Sequence, residues 1–198
     1  MTDSLTGPLA PPILDGYLLD KASVTDGDLT QRKLKETVTL QPSGGSREAF
    51  EQIEPLLREI GPKVTHVGGN GDALVVKLAI NLSLVVQVIS FCESVAMAEK
   101  AGIAREAAVD AVLKSVIASP VLGYRGPCIL EQPETPFADV TLQQKDQLLG
   151  LGFARSVGAA VPFAALANEL LTATRAAGFG DKDFSAVYEV FRAMGGIE

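Results

Sequence analysis

The chain has 198 residues, 47% of them hydrophobic and 21% charged, enough apolar material for one large or two small cored domains, which excludes a mainly disordered polymer. A formal net charge of -7 and a pI of about 4.8 give a field that repels phosphate backbones, and no basic stripe with interleaved aromatics offsets it. Nucleic acid is therefore not an expected partner.

Cys92 and Cys128 have neither C-x-x-C spacing nor a neighbouring histidine set, so no metal site is expected and a reducing cytoplasm fits best. The start, MTDSLTGPLAPPI, carries an acid and prolines where a secretory signal needs a basic, then apolar, run. Residues 1–12 are expected to be mobile. Two strands are predicted next, ILDGYLLD at 13–20 and ETVTL at 36–40, and the second runs into the breaker PSGG. The polar stretch between them holds Asp15, Asp20, Asp26 and Asp28 at or near its edges, without the ligand spacing of a calcium loop, and reads as a solvated loop.

Ser46 is a good N-cap for a helix whose Phe50, Ile53, Leu57 and Ile60 share one face, with Pro55 expected to kink or split it. After Gly61 the run KVTHV reads as a strand. Residues 1–67 thus form a small α/β segment of hairpin, helix and strand.

From residue 68 onward the chain reads as helix. The turn GGNG feeds a run from Asp72 to about Lys100, closed by Gly102 and apolar around most of its circumference, which predicts burial on most sides. Leu74 to Cys92 is long enough to span a bilayer, but it contains Lys77, Asn81, Ser83, Gln87 and Ser90 and has no aromatic belt, so no membrane is expected. Ser83, Gln87, Ser90 and Ser94 form a small polar stripe of the kind that marks close helix packing. Further helices are predicted at about 104–115, at a short segment started by Pro120, and at 140–157, 162–177 and 182–194. The fold class is mainly α, an all-α domain at 68–198 built on one long helix.

Lys77 and Asn81 stand four apart, on one face and one turn from each other, just after the glycine turn. A lysine stem lying on apolar surface with its ammonium in water is the plain alternative to a functional role. His66, Cys92, Tyr124 and Arg125 are read as structural or packing residues.

The stretch VGGNGDALVVKLAIN resembles the catalytic signature of the β-hydroxyacid dehydrogenases, the family of 3-hydroxyisobutyrate and 6-phosphogluconate dehydrogenases and imine reductases. Gly68, Gly71, Lys77 and Asn81 match the pattern G-x-x-G-x-G-x-x-x-K-x-x-x-N, and Ala73 replaces its last glycine. KDQLLGLG, from Lys145, is similar to the family's second motif. The resemblance implies Lys77 as the acid/base at the substrate hydroxyl, Asn81 as the residue that orients substrate, Gly71 and Asp146 in the substrate pocket, and Lys145 beside the cofactor. It also implies that Lys77 lies in a partly closed pocket with Asn81.

The family's nucleotide-binding turn G-x-G-x-x-G does not occur in the sequence. NAD or NADP is therefore expected only with a nucleotide-binding partner chain, and this chain alone is expected to bind none tightly. The first reading is the substrate and dimerisation part of a β-hydroxyacid dehydrogenase-like oxidoreductase acting on a small molecule. The others are a cofactor-independent lyase, isomerase or cyclase that reuses Lys77, and a non-catalytic dimeric binding module. A methionine start and a reworked first segment favour a stand-alone protein. Apolar surface on the long helix predicts a homodimer.

Overall fold

The computed structural model describes residues 41–61 and 63–197, and the strands expected at 13–20 and 36–40, with the segment before them, lie outside this range. The chain divides into two compact units, one ending at Gly68 and the other beginning at Gly69.

The described part of the first unit is a β-α-β piece: β1 (Gln41–Gly44), α1 (Arg47–Ile60) and β2 (Val64–Gly68). The strands run parallel, Gln41 opposite Val64 and Ser43 opposite His66, with an irregularity between Ser43 and Gly44. The expected breaker is thus itself strand. Among the described residues each of the two strands has an open edge, where a proline's missing N–H removes no ladder bond. Ser46 Oγ caps α1 by accepting from Ala49 N at 3.2 Å. The helix runs through Pro55 uninterrupted, against expectation. Glu51, whose carbonyl the proline leaves without its usual donor, is exposed, so water can serve it. Of the predicted apolar face Phe50 is buried, while Ile53 and Ile60 remain about half exposed, at 49% and 55%.

The second unit is helical throughout: α2 (Asp72–Lys100), α3 (Arg105–Leu113), α4 (Pro120–Arg125), α5 (Val140–Ser156), α6 (Pro162–Ala176) and α7 (Val187–Gly195), with short 3-10 turns at Gly126–Ile129 and Phe184–Ala186. Helix α2 organises the unit because Val85, Val88, Phe91, Cys92 and Val95 on its second half form the centre of the core. Ile129, Val140, Leu171, Phe184, Val187 and Tyr188 close around them.

Burial on most sides holds only for that half. The buried positions begin at Val85, and Leu74, Val75 and Ile80 are exposed, because the shorter helices pack around the C-terminal part of α2. By length and composition α2 is the one helix among the described residues that could cross a membrane. The polar stripe is not a packing seam. Ser83, Gln87 and Ser90 are exposed, and the stripe bonds within its own helix, Gln87 Nε2 to Ser83 Oγ at 3.2 Å and Ser94 Oγ to the Ser90 carbonyl at 2.8 Å. Helix α7 starts at Val187 rather than 182, because Asp183 accepts from Ser185 N at 3.1 Å and caps a 3-10 turn first.

Candidate functional site

The glycine turn is required by conformation rather than by space. Gly68 and Gly71 have φ of 139° and 97°, in the region that disfavours side chains, yet a Cβ on Gly71 would meet no atom within 4 Å. Gly71 is the N-cap of α2, and Asp72 Oδ2 accepts the Gly69 N–H at 2.8 Å. That places a carboxylate at the positive end of α2.

Lys77 and Asn81 follow on the first half of α2. Lys77 is exposed, so it is not enclosed in the partly closed pocket expected for it, because its part of the helix precedes the packed core. Asn81 is half-buried and reaches α5, where its Nδ2 donates to Asp146 Oδ2 at 3.1 Å. Lys145 Nζ lies 3.3 Å from the other oxygen of the same carboxylate. Asp146 is 19% exposed and Lys145 45%, so the carboxylate is the more sheltered member of the pair.

The structure thus brings Asn81, Asp146 and Lys145 together, with Lys77 one turn away along α2. Chemically this is an amide with its N–H₂ end anchored on a carboxylate and its carbonyl end available, beside two ammonium groups.

What brings the two helices close is Gly150, one turn past Asp146. A Cβ there would lie 2.6 Å from Leu82 Cδ2 and 2.9 Å from its Cγ. Gly150 was not singled out in the sequence, and nothing local distinguishes it from Gly152, which faces open space.

Two polar clusters at the other end of the unit were likewise not foreseen. Arg125, at 4% exposure, pairs with the fully buried Asp183, whose Oδ2 also accepts Phe137 N at 3.1 Å. The guanidinium lies over the rings of Phe184, Phe137 and Tyr124 at 4.6, 5.2 and 5.4 Å, so the packing role read for Tyr124 and Arg125 is met by a buried ion pair. Glu99, near the end of α2, accepts from Tyr188 Oη and from Arg105 Nη2, the latter at 3.0 Å. In the first unit His66 is structural, with Nε2 2.8 Å from the Gly45 carbonyl and its ring on Phe50.

A family model described as "NAD-binding of NADP-dependent 3-hydroxyisobutyrate dehydrogenase" matches residues 69–191, nearly the whole helical unit. The chain belongs to the β-hydroxyacid dehydrogenase family. It is 31% identical over 151 residues to glyoxylate/succinic semialdehyde reductase 2, chloroplastic, of Arabidopsis thaliana, covering 76% of this chain and 42% of that one. It is 28% identical over 181 residues to the 2-hydroxy-3-oxopropionate reductase of Escherichia coli, covering 91% and 61%. A crystal structure of 3-hydroxyisobutyrate dehydrogenase from Salmonella typhimurium superposes with a TM-score of 0.68 at 27% identity, covering 74% of this chain and 52% of that one. The chain spans about half the length of the curated relatives it matches.

The dehydrogenase family uses NAD or NADP, held in a nucleotide-binding domain. The described residues do not fit the pyrophosphate of such a cofactor. The only glycine turn that opens a long helix among them carries the Asp72 carboxylate, bonded to the Gly69 N–H, and that negative charge opposes a second anion there.

Proposed function

We propose that this chain supplies the substrate side of a dehydrogenase or reductase acting on a small hydroxy acid or the corresponding aldehyde or keto acid. The observation that supports it is the Asn81–Asp146 hydrogen bond, which joins the family's two motifs across 65 residues and leaves the Asn81 carbonyl to receive a substrate hydroxyl. Lys77, one turn before Asn81, is the acid/base: its ammonium gives a proton to the oxygen of a carbonyl being reduced and, in the reverse direction, takes one from a hydroxyl. Asp146 orients Asn81 and holds Lys145. A nicotinamide brought by a nucleotide-binding domain, on a separate chain or otherwise, would supply the hydride, and this chain's part is confined to proton transfer and positioning. The working form is a homodimer in the cytoplasm.

The names of the relatives supply the probes. Calorimetric binding of glyoxylate and succinic semialdehyde to the whole chain should be measured, and turnover of NADPH with the same two compounds once a nucleotide-binding chain of the family is added. Lys77→Met is expected to abolish turnover and to weaken binding, while circular dichroism stays unchanged, because methionine keeps the apolar stem and removes the charge. If neither compound binds or turns over and Lys77→Met changes nothing, the reading is wrong and a non-catalytic module replaces it.

A further inference from the structure

Helix α5 carries three glutamines within five residues, Gln143, Gln144 and Gln147, and all three are buried, Gln144 to 5% exposure. Burying an amide costs free energy unless both of its ends find partners, so what each one reaches is informative. Gln147 Nε2 donates to the Ala164 carbonyl at 2.9 Å, and its Oε1 is buried without a protein partner. Gln144 is engaged at both ends. Its Nε2 donates to Thr172 Oγ1 at 2.7 Å, and its Oε1 accepts from Arg175 Nη1 at 2.9 Å. Thr172 Oγ1 in turn donates to the Asn168 carbonyl at 3.0 Å.

The buried amide therefore fixes a threonine and an arginine of α6 relative to α5, and both stand on the wall of a cavity. The cavity measures about 460 Å³ and is lined by Thr141, Gln144, Thr172, Arg175, Ala176 and Gly180. Its size suits a small metabolite. It is also separate from the Asn81 site, since Gln144 and Asp146 are two residues apart on α5 and so point roughly 200° away from each other.

Charge and donor inventory then define what the cavity fits. Arg58, Arg105, Arg125 and Arg192 each pair with a carboxylate, whereas Arg175, like Arg47 and Arg155, forms no ion pair among the described residues, and it alone of these three rests on a buried neutral amide. Arg175 is exposed, so water solvates its charge, and its planar fork matches a carboxylate or phosphate. The Thr141 hydroxyl spends its proton on the Gly180 carbonyl at 3.0 Å, which leaves its oxygen as an acceptor facing the cavity. An oxyanion for Arg175 and a hydroxyl proton for Thr141 are the two features a ligand would bring.

We propose that this cavity is a binding site for a small hydroxylated oxyanion, a hydroxy acid or a phosphate monoester, anchored by Arg175 and read by the Thr141 oxygen. Titration calorimetry on the full chain at physiological salt, with glycerate and glycerol 3-phosphate as probes and propionate as the hydroxyl-free control, tests it. Saturable binding at one site per chain is expected for a hydroxylated probe once Lys77→Met has weakened any binding beside Asn81. Preference for glycerate assigns the site to a planar carboxylate, and preference for glycerol 3-phosphate to a tetrahedral phosphate. Arg175→Gln should weaken binding about tenfold or more, as loss of a charge-assisted pair does, with the circular dichroism unaltered and the melting temperature lowered only modestly by the partner that Gln144 Oε1 loses. Thr141→Val should bring the hydroxylated probes down to the level of propionate. Lys77→Met should leave this binding intact, which separates it from any binding beside Asn81. No saturation by either probe up to about 10 mM, or equal binding by Arg175→Gln, would overturn the proposal.

Discussion

Leu82 of α2 lies against the bare backbone of Gly150 on α5, so close that a Cβ at that position would sit 2.6 Å from Leu82 Cδ2. The contact sets the distance between the two helices one turn from the Asn81–Asp146 hydrogen bond, and packing there therefore controls the geometry of the site.

Gly150→Ala follows directly. In an exposed helix the change would stabilise by about 1 kcal/mol through propensity. Here the new methyl meets Leu82 Cγ as well as its flexible tip, and overpacking of about 1–3 kcal/mol outweighs the gain. A net loss is expected in urea unfolding, and Leu82→Ala in the same chain should recover part of it. Gly152→Ala, which meets open space, should stabilise slightly.

The Arg125–Asp183 pair should behave as a buried ion pair whose partners are worth little singly. Arg125→Met leaves the Asp183 carboxylate buried among Phe184, Ser185 and Ala186, and Asp183→Asn leaves the guanidinium, so each single change should cost about 3–5 kcal/mol. The double variant should be less destabilised than the sum of the two, and a thermodynamic cycle from chemical unfolding measures the difference.

How far these features could be read ahead varies with how local they are. The bounds of α2 were legible because Gly71 and Gly102 punctuate it, and the start of α1 because Ser46 caps it, each a signal carried within a few residues. The late start of α7 was not, since the Asp183 that caps a 3-10 turn ahead of it is also bonded to Arg125, 58 residues earlier, a contact no local signal announces. Asn81 and Asp146 were both picked out by their motifs, but their hydrogen bond is a tertiary fact. The exposure of Lys77 was misjudged for a related reason: helical periodicity tells which residues share a face, not how far along the helix the neighbours extend. The polar stripe failed likewise, because serines that bond their own helix look the same in sequence as serines that admit a neighbour.

Stability should fall at both ends of the pH scale through one cluster. Burial alone would raise the Glu99 carboxyl, but hydrogen bonds from Tyr188 and Arg105 and the charges of Arg105 and Arg192 outweigh it and hold the group below its ordinary 4.5. The folded state then binds fewer protons than the unfolded one, so this stabilisation is present above pH 4.5 and is lost as the pH falls through the depressed value. Tyr188 runs the other way. Burial, then its hydrogen bond to Glu99, pushes the phenol above its ordinary 10.0, so its contribution is complete below pH 10.0 and is lost as the pH rises beyond it. Melting temperature against pH should show both limbs, and Glu99→Gln should remove the acid limb and reduce the alkaline one, where burial of Tyr188 is the larger cause. A variant that flattens only the acid limb would show that Tyr188 is held up by burial alone.

The last prediction concerns assembly. Leu74, Val75 and Ile80 on α2, Leu148 and Leu149 on α5, and Phe163 and Leu166 on α6 are all exposed, Phe163 to 74%. Scattered single apolar residues need no explanation, but three helices that each present two or more carry apolar surface that a second copy would cover. A self-complementary pairing of two chains is the simplest closed arrangement. Light scattering at micromolar concentration should give twice the chain mass of 20.8 kDa. Phe163→Glu with Leu166→Glu, both outside the core, should reduce the mass to that of one chain while leaving the helical signal intact, because the buried face of α6 runs through Ala164, Ala167 and Leu171 instead. A monomeric wild type would show that this surface serves another partner. A double variant that stays dimeric would place the interface on α2 and α5, where Ile80→Glu and Leu149→Glu should then break it.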